Sequence, residues 1–224
     1  MTETIDASEI ASLLQDAARG LSENHDRLSE LDALSGDGDM GVTAELIAKA
    51  IDQSTASSEP DVGKLLLNCG TEINRRSPST FGTLVASALS EAGKASLGRK
   101  EVGINELAHL GRSAIEGIRR RGKSNVGEKT MLDCIVPAVD ALERALSAGV
   151  DPVAAIEASI DAANVGATNT TSMAATHGRA AYRQDRGVGI QDAGATAIFF
   201  MLEAAGKGLV KLETKRKQSD AGKP

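Results

Sequence analysis

The sequence has almost no aromatic residues. Its 224 residues include no tryptophan, one tyrosine (Tyr182) and three phenylalanines (Phe81, Phe199 and Phe200), 2% in all. Sheets favour aromatic and β-branched side chains, whereas this chain is rich in Ala, Leu and Glu, which favour helix. Composition therefore points to an all-α fold. It also excludes a stacking platform for single-stranded nucleic acid. Cysteine is scarce too. Cys69 and Cys134 each sit in an apolar-periodic stretch, which reads as two buried thiols in a reducing compartment. Basic residues are outnumbered 25 to 31, for a net charge of −6, which argues against general nucleic-acid binding while leaving room for a local basic cluster. No unbroken apolar run approaches membrane-spanning length, so no membrane association is expected. The acidic N-terminal stretch MTETIDASEI lacks the apolar core of a signal peptide. A cytoplasmic location is the expectation.

Helical periodicity fills most of the chain. Ile10, Leu13, Leu14 and Ala17 make one stripe between Asp6 and Arg19, and Leu46, Ile47 and Ile51 make another between Val42 and Asp52. Further helices are predicted from Val62 to Asn74, from Ser79 or Thr80 to Glu91, from Ile104 to Arg120, and from Lys129 to Leu146 with Pro137 as a kink. Asp151-Pro152 reads as an N-cap followed by Pro at the first helical position, opening a helix to Val165. The last helix is expected from Asp192 to Leu212. The total is eight helices with short connections, hence an antiparallel up-and-down barrel or bundle. Residues 1–212 read as one domain, and 213–224 as a charged, frayed tail.

Three Gly-rich polar stretches interrupt this pattern: Leu31 to Thr43, Arg121 to Thr130 and Asn169 to Gly194. The first reads LDALSGDGDMGVT. In extended chain, Asp37 and Asp39 project to the same side, and the glycines allow a sharp backbone that brings Asp32 in. Three carboxylates so close repel unless a cation joins them, and an all-oxygen set suits Mg²⁺ or Ca²⁺. The spacing is a poor match to an EF-hand. The loop runs into a helix start at Gly41-Val42-Thr43, where free N–H groups and the positive dipole end favour phosphate. A solvated acidic loop is the plainer alternative. The second stretch is entered through Gly117-Ile118-Arg119-Arg120-Arg121-Gly122-Lys123-Ser124, which overlaps it and matches the P-loop pattern letter for letter. That motif needs a strand before it, and the preceding residues have helical period. The arginines are read instead as a helix C-terminal cluster.

Three motifs then fall into one order. LDALSGDGDMG resembles the L-D-x4-G-D-x-D-H-G signature of the nucleotide-binding L-type domain of the dihydroxyacetone kinase family. GEKTMLD, from Gly127 to Asp133, resembles that family's G-D-K-T-M-L-D, and GRAAYRQDRGVGIQDAGA, from Gly178 to Ala195, resembles G-R-A-S-Y-L-G-E-R-S-I-G-H-Q-D-P-G-A. The similarity spans nearly the whole chain, whose length is that of the family's free-standing L subunit. It implies an eight-helix antiparallel barrel with nucleotide at one end, and phosphoryl transfer to a dihydroxyacetone-like C3 or C4 ketose. By this resemblance Asp32, Asp37 and Asp39 hold two Mg²⁺ ions bridging the phosphates of ADP or ATP. Met40, Gly41, Val42 and Thr43 lie against the phosphates, and the family's phosphate loop falls at Arg76 and Ser77. Gly122 and Met131 line the adenine pocket. Arg179 contacts the phosphate or ribose region, and Asp192, Ala193 and Gly194 close the lid.

The resemblance supplies no acceptor base within the chain. It implies a partner subunit that holds the ketose and, in one version of the chemistry, a phosphotransferase-system phosphocarrier that recharges bound ADP; it leaves a homodimer open. Arg119 to Arg121, Arg183 and Arg186 form a candidate basic rim toward partner or nucleotide. Two departures stand out: Met40 replaces the family's His, and Pro78 stands in the phosphate loop, where it offers no N–H. Those departures keep two other readings in play, a nucleotide-sensing module without turnover and a ligand-free helical bundle.

Overall fold

The computed structural model describes residues 4–221, with side chains to residue 218. It contains, among the described residues, nine α-helices and one small two-stranded sheet. Strand β1 (Thr4–Asp6) leads into α1 (Ala7–Glu23), α2 (His25–Ser35) and α3 (Met40–Thr55). Then come α4 (Val62–Arg76), α5 (Thr80–Ala95), β2 (Glu101–Gly103) and α6 (Ile104–Gly122). Helices α7 (Leu132–Ser147), α8 (Pro152–Asn169) and α9 (Ala193–Ala221) complete the chain. Each boundary has a local cause. Asp6 opens α1 with a reciprocal capping box: its carboxylate accepts from Glu9 N at 2.9 Å, and Glu9 accepts from Asp6 N at 3.0 Å. Asp61, Ser79 and Asp151 cap α4, α5 and α8 in the same way from one side. Asp6→Ala is expected to cost about 1 kcal/mol in thermal unfolding, the usual worth of such a cap.

Eight of the helices close a ring. The neighbours run α1, α3, α4, α5, α6, α7, α8, α9 and back to α1. Successive ring members run antiparallel, most of them across short connections, so α3, α5, α7 and α9 all begin at one rim. The sheet sits at the opposite rim, where Ile5 faces Val102 in antiparallel register and both are buried. The expected eight-helix barrel is therefore the observed architecture, and α2 is an addition to it. That helix escapes the periodicity argument because HDRLSELDALS is polar and buries only Leu28. It lies against α3 and α9, with the Arg27 guanidinium 5.9 Å from the Phe200 ring centroid.

The interior is aliphatic and small-residue rich. Ile47, Ile51, Leu132 and Ala163 are fully enclosed toward the α3 rim, and Val62, Leu65 and Val102 toward the sheet. An apolar cavity of about 310 Å³ remains along the ring, lined by residues such as Leu14, Val85, Ala114, Val139 and Ile160. With so few aromatic side chains, eight helices leave axial space unfilled. Arg112 ties α6 to α7 through both oxygens of Glu143, at 2.9 Å from Nε, and through Asp140.

One expectation needs correction. The charged segment from residue 213 is not a frayed tail: α9 continues to Ala221, Glu213 is buried, and Arg216 joins Glu9 of α1 at 2.7 Å and Thr4 O at 2.8 Å. Its last three residues, 222–224, lie outside the described part. The Ala193–Gln218 segment of α9 is long and apolar enough to cross a membrane by length and composition alone, a test that the core helix of a globular fold also passes. Counting unbroken apolar runs misses it because Gly, Thr and Lys interrupt the helix. In this fold α9 is a wall of the ring, between α1 and α8.

Candidate functional site

The acidic stretch is folded at the rim where α3 begins. Asp32 stands on the last turn of α2, so the true loop is only residues 36–39. Gly38 takes φ +77°, a left-handed conformation that glycine adopts without penalty. The turn folds Asp37 and Asp39 back over Asp32. Each of the three offers a carboxylate oxygen, and all three atoms lie within 4.8 Å of one another. Asp32 Oδ2 is buried and has no hydrogen-bond partner. Burial, followed by the charges of Asp37 and Asp39, pushes the Asp32 carboxyl above its ordinary range, against a smaller opposing pull from the Asp39 and Gly38 N–H groups. An orphaned buried oxygen beside two more carboxylates is what a hard divalent cation would satisfy, so the residues fit Mg²⁺.

Helix α3 starts immediately after the trio. Asp39 is its N-cap residue but makes no side-chain cap, and the first intrahelical bond is Thr43 N to Asp39 O at 3.0 Å. The N–H groups of Met40, Gly41 and Val42 precede that ladder and are the helix's free donors. The Thr43 side chain points inward and is buried, Met40 packs on the core, and Val42 is exposed. Any phosphate contact here belongs to the backbone.

The 170–192 segment crosses the same rim. Arg179 reaches Asp37 at 2.5 Å. Gly189 N donates to Thr171 O at 2.8 Å, and Ala175 N to Arg186 O at 2.9 Å. His177 pairs with Glu128 at 2.7 Å, which ties this segment to the α6–α7 connection. Asp192 caps α9 by accepting from Ala195 N at 2.7 Å, and burial pushes its carboxyl up to about 6. Ala193 is buried behind it, and a Cβ on Gly194 would lie 3.2 Å from Asp192 Oδ2.

The other candidates stand at the ends of α4 and α6 and at the start of α7. Arg76 is spent on Glu72 and Gln53. Ser77 is buried at the end of α4, with its hydroxyl 3.4 Å from that of Ser79. Gly122 ends α6 beside Leu84, and Met131 is buried in the core at the start of α7. The P-loop look-alike lies on the C-terminal turn of α6, preceded by helix, with Lys123 as a left-handed C-cap. It is no phosphate loop. Within the proposed basic rim, Arg119 pairs with Glu116, Arg120 with Glu91 and Arg183 with Asp185, while Arg186 donates to Ala175 O.

Sequence reasoning missed Lys129, Asp133 and Thr170, which are 3%, 2% and 0% exposed at the base of the 170–192 segment. A signal was present, since Lys129 and Asp133 both stand in GEKTMLD. Charged residues inside a motif that opens a buried helix are expected to be structurally committed.

These features define a class: an antiparallel helical ring whose acidic turn lies at the rim where alternate helices begin. Within it, the chain belongs to the DAK2 domain family, whose profile matches residues 35–207. It is 29% identical over 201 residues to the ADP-binding subunit DhaL of the PEP-dependent dihydroxyacetone kinase of Escherichia coli (strain K12), covering 89% of this chain and 96% of that one. A Listeria innocua subunit of the same description, from kinase 2, is 28% identical over 216 residues, covering 94% and 99%. D-erythrulose kinase of Mycolicibacterium smegmatis is 29% identical over 84% of this chain, which spans 33% of that protein. The fold matches the crystal structure of the C. freundii dihydroxyacetone kinase with a TM-score of 0.69 at 22% identity, over 88% of this chain and 34% of that one. The same kinase in complex with AMP-PNP and Mg²⁺ gives 0.68, also at 22% identity.

Proposed function

We propose that this chain is the Mg–nucleotide-binding subunit of a dihydroxyacetone-kinase-type enzyme. It would act in the cytosol with a partner subunit that presents the hydroxyl of a small C3 or C4 ketose. The observation that carries the reading is the orphaned Asp32 oxygen within the carboxylate trio, next to the open N-terminus of α3. Asp32, Asp37 and Asp39 hold two Mg²⁺ ions in this reading. Bound there, the metal neutralises phosphate charge, the main requirement of phosphoryl transfer. The chain's own groups orient the nucleotide. The N–H groups of Met40 to Val42 receive phosphate oxygens, Arg179 turns from Asp37 to the phosphates, and Ser77, Gly122 and Met131 border the base. Asp192 to Gly194 and the segment before them limit water access. Arg179→Ala is expected to weaken Mg–ADP binding about tenfold, the worth of one hydrogen bond from a charged donor, with Mg²⁺ binding unchanged by calorimetry. Unchanged ADP affinity would remove Arg179 from the site.

The relatives matched nearly end to end are described as ADP-binding and PEP-dependent. Their descriptions support ADP held in the site and recharged by a phosphoprotein, rather than exchanging ATP. Denaturing the purified protein and identifying the released nucleotide and metal tests this: near-stoichiometric ADP with Mg²⁺ is expected. An empty protein stabilised only by added Mg–ATP would favour an exchanging kinase. Pro78 and the commitment of Arg76 to Glu72 and Gln53 favour one second reading, a nucleotide sensor without turnover. Phosphorylation of dihydroxyacetone in the presence of a ketose-binding subunit would exclude it.

A further inference from the structure

The α6–α7 connection carries an internal cation that the nucleotide reading leaves unused. Lys129 is 3% exposed and sits at φ +60°, in the left-handed region that a lysine rarely adopts. Asp133 imposes that conformation from the first turn of α7. Its Oδ2 accepts from Thr130 N at 2.7 Å and its Oδ1 from Gly127 N, which folds the 127–130 turn and sends the lysine inward. Among the described residues the ammonium makes no carboxylate hydrogen bond. It donates to two main-chain carbonyls, Thr170 O at 2.6 Å and Ile190 O.

Those carbonyls are the two roots of the segment that carries Arg179. Between them the chain leaves the ring, crosses the carboxylate trio and returns. Thr170 strengthens the same junction, since its hydroxyl accepts from Asp192 N at 2.9 Å at the head of α9. Burying an ammonium costs far more than burying an apolar side chain of similar size. Packing alone would be served by methionine. Methionine would leave both carbonyls open, whereas the three donors of the ammonium close both at once, and the charges of Asp192 and Asp133 help keep it protonated against its burial.

We propose that Lys129 is a positioning residue of the site: its ammonium pins the Thr170 and Ile190 carbonyls together and thereby holds the 171–189 segment, with Arg179, across the acidic trio. The role at the site rests on the nucleotide reading above; the pinning itself does not. The segment contains three trypsin sites, Arg179, Arg183 and Arg186. Limited trypsin digestion of the full chain without nucleotide, read by mass spectrometry, reports the pinning. Mg–ADP titration reports its consequence.

Lys129→Met is expected to speed cleavage at those arginines about tenfold or more, as loss of a charged hydrogen bond implies, and to weaken Mg–ADP binding by a similar factor. Lys129→Arg, which keeps the cation and its donors, restores both most of the way. A structural filler would show no such rescue. Cleavage of Lys129→Met at the wild-type rate overturns the proposal, as does a Lys129→Arg protein as impaired as Lys129→Met. Should Lys129→Met not fold, Lys129→Gln, whose amide is uncharged and one bond shorter, is set against Lys129→Arg instead: cleavage of Lys129→Gln at the wild-type rate overturns the proposal. Failure of the wild type to bind Mg–ADP would sink the nucleotide reading instead, while the trypsin rates would still decide whether Lys129 pins the segment.

Discussion

Asp37→Asn is expected to reduce Mg-dependent ADP binding by about 100-fold or more, at or beyond the upper end of what outer-shell changes cost a metal site. Asp39→Asn should act alike. Neither should unfold the protein. Among the described residues Asp37 pairs with the exposed Arg179, and such exposed pairs are worth about 1 kcal/mol at most. Removing a negative charge also relieves Asp32. The Asp32 carboxyl is raised in the fold, so its contribution to stability is present at acid pH and is lost as pH rises through that raised value. Metal reverses the sense: it needs the carboxylate, so Mg–ADP affinity falls as pH falls through the same range. Calorimetric titration of wild type and both variants, at neutral and mildly acid pH, checks the loss and its pH dependence. Wild-type affinity in either variant would sink the assignment of the trio.

Gly41→Ala is expected to destabilise the protein by about 2–3 kcal/mol, the cost of overpacking a filled contact. Helix propensity alone predicts the opposite sign, a gain of about 1 kcal/mol. Sterics decide, because a Cβ at Gly41 would lie 2.3 Å from both His25 O and Ser29 Oγ of α2. Backbone cannot yield as a flexible side chain can, so α2 must lift from α3. Asp32 rides on α2, hence Mg–ADP affinity should fall along with the melting temperature. Gly111→Ala is the contrast: its nearest obstacle is the Val139 side chain at 2.8 Å, which can rotate, and the cost should stay near 1 kcal/mol. Thermal unfolding of both variants, with and without Mg–ADP, separates the two. A stabilised Gly41→Ala would show that α2 is not held close.

The sequence by itself determined the ring helices, because each buries an apolar stripe whose period is readable in isolation: Leu65, Leu66, Cys69 and Ile73 in α4, or Ile104, Ala108, Ile115 and Ile118 in α6. It also brought out Asp32, Asp37 and Asp39, since carboxylates two to seven residues apart around one glycine turn announce themselves locally. Helix α2 was illegible, with one buried residue and a fold that depends on the α3 and α9 surfaces it meets. The continuation of α9 was illegible for the same reason, as Arg216 is ordered by Glu9, far away in sequence. Lys129 is the sharpest case. Its partners lie 41 and 61 residues further along the chain, and a lysine in a polar stretch reads as solvated until the 170–192 segment folds over it. Periodicity and spacing report what a residue needs from its near neighbours. Only the tertiary structure decides which distant groups come close enough to make a polar side chain part of the interior.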